Sequence, residues 1–293
     1  MCRPGARPAS IPLKRSVTSR KSRDLVVFVN LAYAAAVMRY TRPLAQACVG
    51  THVDVAGARV RIPGPLPIRI SVVAGNIRVH RLMDAAIRPG ATVVDVGANV
   101  GYNTVYASRL VGPTGRVVAI EPAADNIGVL RENVVTNGID NVVVVPIAAG
   151  RAHEVRDFFL RGETSAVNSL FPESVYAAVT SVEQVRVAPL DDLVDVDPDL
   201  VKIDVEGAEL DVLAGMTRLL GRPVVRLIVE WHPVLQEAAG HAPDALPRLL
   251  LHHGLTVHAA WHTRVERLNA GDIGRVATRL GRAGRPVELI ARR

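Results

Sequence analysis

Residues 93–103 read VVDVGANVGYN, and this stretch decides the fold class of the chain. The apolar residues around Asp95 predict a buried strand, and Gly97 and Gly101 predict a tight turn into a helix. A second predicted strand ends at Glu121, 24 residues after Gly97. A glycine turn after one strand and a carboxylate closing the next are typical of a nucleotide-binding sheet edge.

Asn99 indicates which kind of nucleotide the turn accepts. In the G-x-G-x-x-G turn of dinucleotide enzymes a glycine stands at this place and lets a pyrophosphate approach the helix N-terminus. We expect the Asp95 carboxylate to lie in the pocket, where it would repel phosphate and attract a cationic ligand. S-adenosylmethionine carries a sulfonium, an amino-acid end and a ribose diol but no phosphate. The residues therefore favour S-adenosylmethionine over NAD.

The remaining members of the predicted cofactor site follow the second strand. Glu121 is expected to accept hydrogen bonds from both ribose hydroxyls. Asn126 falls in the first turn of the next helix, where a simple helix-start role is the alternative. For Asp95 the alternative is the capping of a turn. The predicted cofactor-binding residues are Asp95, Gly97, Asn99, Gly101, Glu121 and Asn126.

Strands and helices alternate along the chain after residue 89. We predict strands over 92–96, 116–121, 142–147, 200–204, 224–230, 255–260 and 286–291, and helices over 102–111, 123–136, 207–220 and 243–253. Short antiparallel strands are expected within 51–80, followed by a helix over 81–88. This order predicts an α/β fold with a Rossmann-like, mostly parallel sheet and helices on both faces.

Charge divides the chain into unequal parts. The net charge of +7 comes from the ends, because residues 1–23 carry +7 and residues 264–293 carry +5, which leaves −5 for the part between. We interpret residues 1–23 as a basic disordered arm, 24–88 as a small helix and strand extension, and 89–293 as the cofactor-binding domain. The negative centre and an aromatic content of 4% argue against a nucleic-acid partner.

An apolar run over residues 25–38 follows the basic arm. As a helix it would rise about 21 Å, less than the roughly 30 Å core of a bilayer. Three interpretations stay open: a helix packed on the domain, a peripheral membrane helix, and a secretory signal. The predicted intracellular cofactor favours a cytoplasmic location, with peripheral contact to the inner face of the membrane through residues 1–40 as the alternative.

A second motif, VKIDVEGAE over residues 201–209, ends another predicted strand. Strand periodicity places Lys202, Asp204 and Glu206 on one face, at the edge where open α/β sheets bind ligands. Lys202 is the only lysine after residue 21 in a chain with 32 arginines, which indicates that a compact ammonium is required there. We expect Asp204 to assist deprotonation of an acceptor hydroxyl and Lys202 to position that acceptor as a second catalytic residue; a structural salt bridge is the alternative.

Glu230 and His232 end a further predicted strand at the same edge. His232 is the second candidate for proton transfer, and Glu206 and Glu230 are expected to bind the acceptor. The carboxylates Asp204, Glu206 and Glu230 could alternatively gather a divalent cation, which would acidify the hydroxyl. No Cys and His cluster has zinc spacing, so no metal ligand is assigned from the sequence.

These motifs resemble the FkbM-type methyltransferases, a branch of the class I S-adenosylmethionine-dependent enzymes. The matching segments are VVDVGANVGYNTVYAS, VVAIEP, LDDL, LVKIDVEGAELDVLAG and LIVEWHP, in family order over about residues 89–232. The resemblance implies S-adenosylmethionine held by Asp95–Gly101 and Glu121. It also implies methyl transfer to a hydroxyl of a small-molecule or glycolipid acceptor, commonly a sugar or a polyketide-like metabolite.

Two other functions remain as alternatives to that expectation. The first is an NAD-dependent oxidoreductase on a similar sheet, against which Asn99 counts. The second is a non-catalytic, membrane-associated binding protein that uses the basic arm and the apolar run. The acidic residues kept at the predicted site argue against a loss of catalysis.

Overall fold

The computed structural model describes residues 50–161, 167–173, 177–261 and 263–293. The predicted basic arm and the apolar run over 25–38 lie outside the described residues. Among the described helices, none has the length and the apolar composition needed to cross a membrane.

The described chain contains 13 strands and nine helices. The strands are β1 (His52–Val55), β2 (Ala58–Arg61), β3 (Thr92–Val96), β4 (Arg116–Ile120), β5 (Val142–Val145), β6 (Ala148–Gly150), β7 (Glu154–Arg161), β8 (Val179–Pro189), β9 (Leu200–Ile203), β10 (Arg226–Trp231), β11 (Thr256–Ala260), β12 (Val265–Arg267) and β13 (Val287–Arg292). The helices are α1 (Leu66–Ala86), α2 (Tyr102–Val111), α3 (Ala124–Thr136), α4 (Leu190–Leu193), α5 (Glu209–Ala214), α6 (Thr217–Leu220), α7 (Pro233–Ala238), α8 (Ala245–His252) and α9 (Ile273–Ala283).

The main sheet has eight strands in the order β12-β11-β13-β10-β9-β3-β4-β5. Strands β10, β9, β3, β4 and β5 pair in parallel, whereas β13 lies antiparallel between β10 and β11. A second sheet, in the order β6-β8-β7, stands beside it, and β1 and β2 form a hairpin. The predicted Rossmann-like, mostly parallel α/β fold is confirmed.

The interior of the sheet is apolar on both faces. Its central strands carry fully buried valines and isoleucines, as buried parallel strands require. The largest cluster of buried apolar side chains lies between the strands β3, β4, β9, β10, β11 and β13 and the helices α5, α6, α8 and α9. A second cluster joins the β1–β2 hairpin to α1 and α2, so the N-terminal extension packs on the same core.

The segment before the main alternation differs from the sequence expectation. Short antiparallel strands were expected within 51–80 and a helix over 81–88, but only β1 and β2 are strands, and the helix, α1, has 21 residues and already begins at Leu66. Its β-branched residues favour a strand and Gly75 disfavours a helix interior, whereas packing of Ile70, Val73 and Met83 against the domain stabilises the helix. Tertiary contacts therefore override local propensity here.

Further along the chain, the predicted helix over 207–220 is two short helices, α5 and α6. The break at Gly215 has a packing cause, because a Cβ atom at this position would lie 1.9 Å from the backbone oxygen of Gly150. Helices α4, α7 and α9 and strands β6, β7, β8 and β12 were not individually predicted. The other predicted elements of the main alternation are present, with ends that differ by at most two residues.

Gly97 is required by the approach of two neighbouring strands. The residue has φ +77°, and a Cβ atom built on it would lie 1.9 Å from the backbone oxygen of Asp204. That oxygen belongs to the segment that leaves β9, directly beside the turn that leaves β3. Gly97 was predicted as a cofactor-binding residue, but in the structure the protein itself fills the space that a side chain here would need.

We predict that Gly97→Ala destabilises the fold by about 3–5 kcal/mol, since it combines an unfavourable positive φ with overlap against fixed backbone. Urea unfolding followed by circular dichroism measures the change. The matched control is Gly128→Ala, at an exposed position of α3 with no atom within 4 Å of the added Cβ. This control should gain about 0.5–1 kcal/mol. Equal stability of the two variants would contradict the packing account.

Candidate functional site

A cavity of about 630 Å³ opens where β3, β4, β9 and β10 end. It lies at the carboxyl edge of the parallel strands, the edge at which open α/β sheets bind ligands. One wall comes from the turn after β3, and the facing walls come from α1 and the three-stranded sheet. Eight of the predicted site residues line this cavity, namely Gly97, Asn99, Glu121, Asn126, Lys202, Asp204, Glu206 and Glu230.

The turn after β3 keeps its backbone donors inside the protein. The N–H groups of Gly97 and Ala98 both donate to the oxygen of Ile120, and that of Gly101 donates to Ala98. The N–H of Asn99 donates to the Glu121 carboxylate, and the N–H of Val100 donates to the side-chain oxygen of Asn99 at 2.6 Å. All five donors from 97 to 101 are thus engaged, whereas a phosphate-binding turn directs such groups at its ligand.

Asn99 and Gly101 shape this turn through their backbone. Both adopt left-handed conformations, with φ +51° and +85°. Asn tolerates this region better than other non-glycine residues, so Asn99 satisfies the turn without the glycine that a pyrophosphate needs. Gly101 does not line the cavity, and its Cβ would lie 3.0 Å from the Leu130 side chain. Its role in the structure is to start α2 against α3.

Glu121 is buried at the end of β4 and holds the turn in place. Its carboxylate accepts hydrogen bonds from the N–H groups of Asn99 and Ala123 and from the Asn126 side chain, at 2.9–3.0 Å. Burial raises the pKa of Glu121, and these three bonds oppose the rise. A carboxylate has about four acceptor positions, so one is left on Oε2. The structure therefore offers a ligand hydroxyl one acceptor here rather than the two expected.

Asp95 does not lie in the cavity, which corrects the sequence expectation. Its side chain is fully buried behind the cavity wall, where Oδ2 accepts a hydrogen bond from Thr104 at 2.7 Å. Oδ1 lies 3.2 Å from Nζ of Lys202, its neighbour across the paired strands β3 and β9. The Asp95 charge is thus neutralised inside the protein, and the argument that it repels phosphate from the pocket is wrong.

Lys202 joins this buried pair to the cavity. Its ammonium is 2% exposed and also lies 3.4 Å from Oδ2 of Asp204, which is one-third exposed. Burial alone would lower the pKa of Lys202, but Asp95 and Asp204 outweigh burial and raise it. The ammonium is therefore a permanent charge that fixes the Asp204 carboxylate at the cavity surface.

Glu206 and Glu230 complete a cluster with Asp204. An oxygen of each of the three carboxylates lies within 4.8 Å of an oxygen of the other two. Burial and the charge of Asp204 raise the pKa of both glutamates well above the usual value. This spacing suits a shared proton, and the oxygen ligands also suit a divalent cation.

The backbone around Glu206 is held by residues that the sequence interpretation did not single out. Glu206 has φ +54°, an uncommon conformation for its type. Oε1 of Glu209 accepts the N–H groups of Val205 and Gly207 at 3.2 and 3.1 Å, on either side of Glu206. Gln236 then donates to Oε2 of Glu209 at 2.6 Å. Glu209 was visible in the VEGAE motif, but Gln236 follows the next strand and gives no local signal.

His232 is not brought to the cavity. It is 2% exposed, does not line the cavity, and stands at the start of α7, where its backbone oxygen accepts the N–H of Gln236. Burial lowers the pKa of His232 to about 4. The position of His232 therefore does not support a role in proton transfer at the acceptor. The candidates for proton transfer that line the cavity are Asp204, Glu206 and Glu230.

The charge of the cavity identifies the cofactor class that fits. Among the described residues that line it, Lys202 is the sole Lys or Arg, and it is already paired with two aspartates. Glu121 and the three clustered carboxylates make the remaining surface acidic. With the engaged donors of the turn, this set fits a cationic cofactor without phosphate and offers nothing to neutralise a pyrophosphate.

Residues 95–256, more than half of the chain, match the family described as "Methyltransferase FkbM domain". The chain belongs to this family. The resemblance predicted from the motifs is confirmed, and the chain therefore carries a domain of the S-adenosylmethionine-dependent methyltransferase class. The whole of the cavity wall that α1 provides lies before the matched FkbM segment.

Known proteins similar to this FkbM chain include methyltransferases with different acceptors. Hexuronic acid methyltransferase AglP of Haloferax volcanii is 29% identical over 70% of this chain and 77% of its own length. Arsenite methyltransferase of Halobacterium salinarum is 28% identical over 49% of this chain. The alignments span 40% of the arsenite enzyme and 10% of AMB antimetabolite synthetase AmbE of Pseudomonas aeruginosa. A solved FkbM methyltransferase from Methylobacillus flagellatus is 18% identical, with a TM-score of 0.43 over 88% of this chain and 60% of that one.

The Glu209–Gln236 pair of this FkbM domain makes a testable contribution to stability. Burial raises the pKa of Glu209 to about 7, and the hydrogen bonds it accepts do not fully offset burial. Because this pKa lies above the ordinary value of 4.5, the protonated form is favoured in the fold, and stability is lost as pH rises between these values. We predict that Glu209→Gln is more stable than the wild type above pH 7, by on the order of 2–3 kcal/mol, and loses this advantage near pH 4.5.

Thermal unfolding from pH 5 to 8 measures this difference. A glutamine keeps the oxygen that accepts the two N–H groups, and the buried Oε1 of Gln236, which has no hydrogen-bond partner, can accept its new amide. The matched control is Glu237→Gln, an exposed neighbour on α7. A stability difference between wild type and Glu209→Gln that does not change with pH would contradict the assignment.

Proposed function

We propose that the protein is an S-adenosylmethionine-dependent O-methyltransferase that acts on a hydroxyl of a sugar-containing lipid or a polyketide-like metabolite. The observation that carries the proposal is the cavity itself. It has a glycine turn with engaged donors and a buried Glu121 on one side, and Asp204, Glu206 and Glu230 facing it. The family membership supports the cofactor, and the carboxylate cluster supports the transfer to oxygen.

Several residues are assigned to binding of the cofactor. Glu121 presents its remaining acceptor position to a ribose hydroxyl, and Asn126 holds the Glu121 carboxylate through a 3.0 Å hydrogen bond. Gly97 and Asn99 give the turn its shape, and Asp95 acts behind it through Lys202. S-adenosylmethionine supplies an electrophilic methyl group on a sulfonium when bound.

The carboxylate cluster is assigned to deprotonation of the acceptor. Asp204 is the member that Lys202 fixes at the cavity surface, so we assign to it the contact with the hydroxyl. As the oxygen gains the methyl group, its proton passes to this carboxylate. The pKa of Glu206 and Glu230 is raised above the ordinary value, so these two neighbours favour sharing of the proton within the cluster, which assists attack by the oxygen. Alignment of the reacting atoms supplies the rest.

The walls away from the glycine turn support an acceptor with an apolar part. Pro67, Ile68 and Val72 of α1 face the cavity from one side, and Phe158 and Leu170 face it from the side of the small sheet. A free sugar would place its hydroxyl groups against these apolar side chains. A glycolipid or a polyketide-like molecule would instead cover them with its own apolar part and remove them from water. We therefore favour the latter two classes of acceptor over a free sugar.

We predict that Asp204→Asn lowers methyl transfer by about 10²–10⁴-fold, since it removes the proton acceptor while keeping the shape of the side chain. The assay follows labelled methyl from S-adenosylmethionine into glycolipid extracts of a strain that lacks this protein, and mass spectrometry checks that the product gains one methylene. Cofactor affinity, measured by calorimetry, should change by less than about threefold. Asp140→Asn, at an exposed position before β5, is the matched control.

Two results would contradict these assignments. Full turnover of Asp204→Asn with unchanged cofactor affinity would remove Asp204 as the proton acceptor. Loss of activity after exhaustive chelation, with recovery on adding Mg²⁺ or Mn²⁺, would instead assign the three carboxylates to a divalent cation that acidifies the hydroxyl. Activity that is unaffected by chelation is the result expected from the proton-acceptor mechanism.

A further inference from the structure

A second concave site lies at the opposite edge of the main sheet from the cavity. We call it the arginine-rimmed groove, with a volume of about 380 Å³, within the usual range for small-molecule sites. The last turn of α1 forms one side, and the beginnings of β9 and β10, with β11, β12 and the end of β13, form the other. It is lined by Leu82, Ala85, Ala86, Arg88, Leu200, Arg226, Leu227, Ile228, His258, Val265, Ile290 and Arg292, none of which lines the cavity.

The floor of the groove is apolar. Leu82 comes from α1, Ile228 and Ile290 come from the paired strands β10 and β13, and Val265 comes from the edge strand β12. Val265 is 55% exposed, and Ile290 is only partly covered. Since exposed apolar surface in a concavity is a recurring mark of ligand sites, this floor favours a ligand with a hydrocarbon part.

The rim carries positive charge without a matching negative charge. Three arginines line the groove, and among the described residues that line it there is no Asp or Glu. Arg88 donates to the backbone oxygens of Ala85 and Ile87, and Arg226 donates to that of Ala86. These contacts hold the side chains against the end of α1 with most of their five donors still available.

The neighbouring His258 lies in the same positively charged environment as the arginines of the rim. Burial lowers the pKa of His258, and the charges of Arg292 and Arg267 lower it further. His258 is therefore neutral at pH 7 and adds no positive charge of its own there, while its ring extends the wall between the floor and Arg292. The arginines are the groups that would bind an anion.

We propose that the arginine-rimmed groove binds a free amphipathic anion, a hydrocarbon chain that ends in a phosphate or carboxylate. The chain would cover Ile228, Ile290 and Val265, and the anionic end would be bound by Arg226 and Arg292, which face each other across the paired strands. The site is separate from the methyl-transfer cavity, so this proposal does not depend on the proposed function.

Calorimetry on the full chain tests the proposal with octyl phosphate as the probe, below its micelle concentration. Octyl phosphate should bind at least about tenfold more tightly than octanol or inorganic phosphate, because only it meets both the floor and the rim. The double variant Arg226→Gln with Arg292→Gln should weaken binding by about tenfold or more, and Val265→Asn should weaken it without affecting inorganic phosphate.

The matched control removes two positive charges elsewhere, by Arg131→Gln with Arg186→Gln at exposed positions of α3 and β8. It should bind octyl phosphate as the wild type does. Equal binding by both double variants would overturn the proposal, since attraction would then come from overall charge. Binding to phosphatidylglycerol vesicles but not to octyl phosphate would also overturn it, in favour of a membrane surface. Binding of octyl phosphate that appears only after removal of residues 1–49 would overturn the proposal as well, because that segment would then be the ligand of the groove.

Discussion

The structure of the site depends on one buried ammonium, that of Lys202. It bridges Asp95 on one central strand and Asp204 at the end of the next, at 3.2 and 3.4 Å. Removal of one partner from a buried ion pair costs about 3–5 kcal/mol, so the three residues are coupled in stability. The same contact places the Asp204 carboxylate at the cavity surface. From the sequence, a structural salt bridge and a functional role were alternatives for Lys202 and Asp204. In the structure the salt bridge of Lys202 is what positions Asp204 at the cavity.

Around this centre the protein satisfies its own backbone so that the cavity is left acidic. The turn after β3 uses its five N–H groups internally, and Glu121 accepts one of them while closing the next strand. Glu206 adopts its left-handed conformation because Glu209 binds the backbone on both sides of it. The result is a surface lined by carboxyl groups, on which the single ammonium is already paired and no N–H of the turn is left for phosphate, and this favours a cofactor without phosphate.

Much of this was predictable, and the exceptions have physical causes. The alternation of β3, α2, β4 and α3 was correct because periodicity, glycines and a proline agree with one another there. Helix α1 was predicted only over its last residues, because the β-branched residues before residue 81 favour a strand and packing stabilises the helix there. Asp95 and His232 were assigned to the pocket from strand-end position alone. Sequence periodicity gives the face of a residue but not whether a neighbour such as Lys202 already covers it.

Calorimetric titration of the full chain with S-adenosylmethionine and with NAD measures directly which cofactor the cavity accepts. We expect S-adenosylmethionine to bind and NAD not to bind, and we expect Glu121→Gln to weaken S-adenosylmethionine binding by about tenfold or more. Glu132→Gln, a surface carboxylate paired with Arg61, is the matched control and should leave affinity unchanged. Binding of NAD with comparable affinity, or an unchanged affinity of Glu121→Gln for S-adenosylmethionine, would contradict the account.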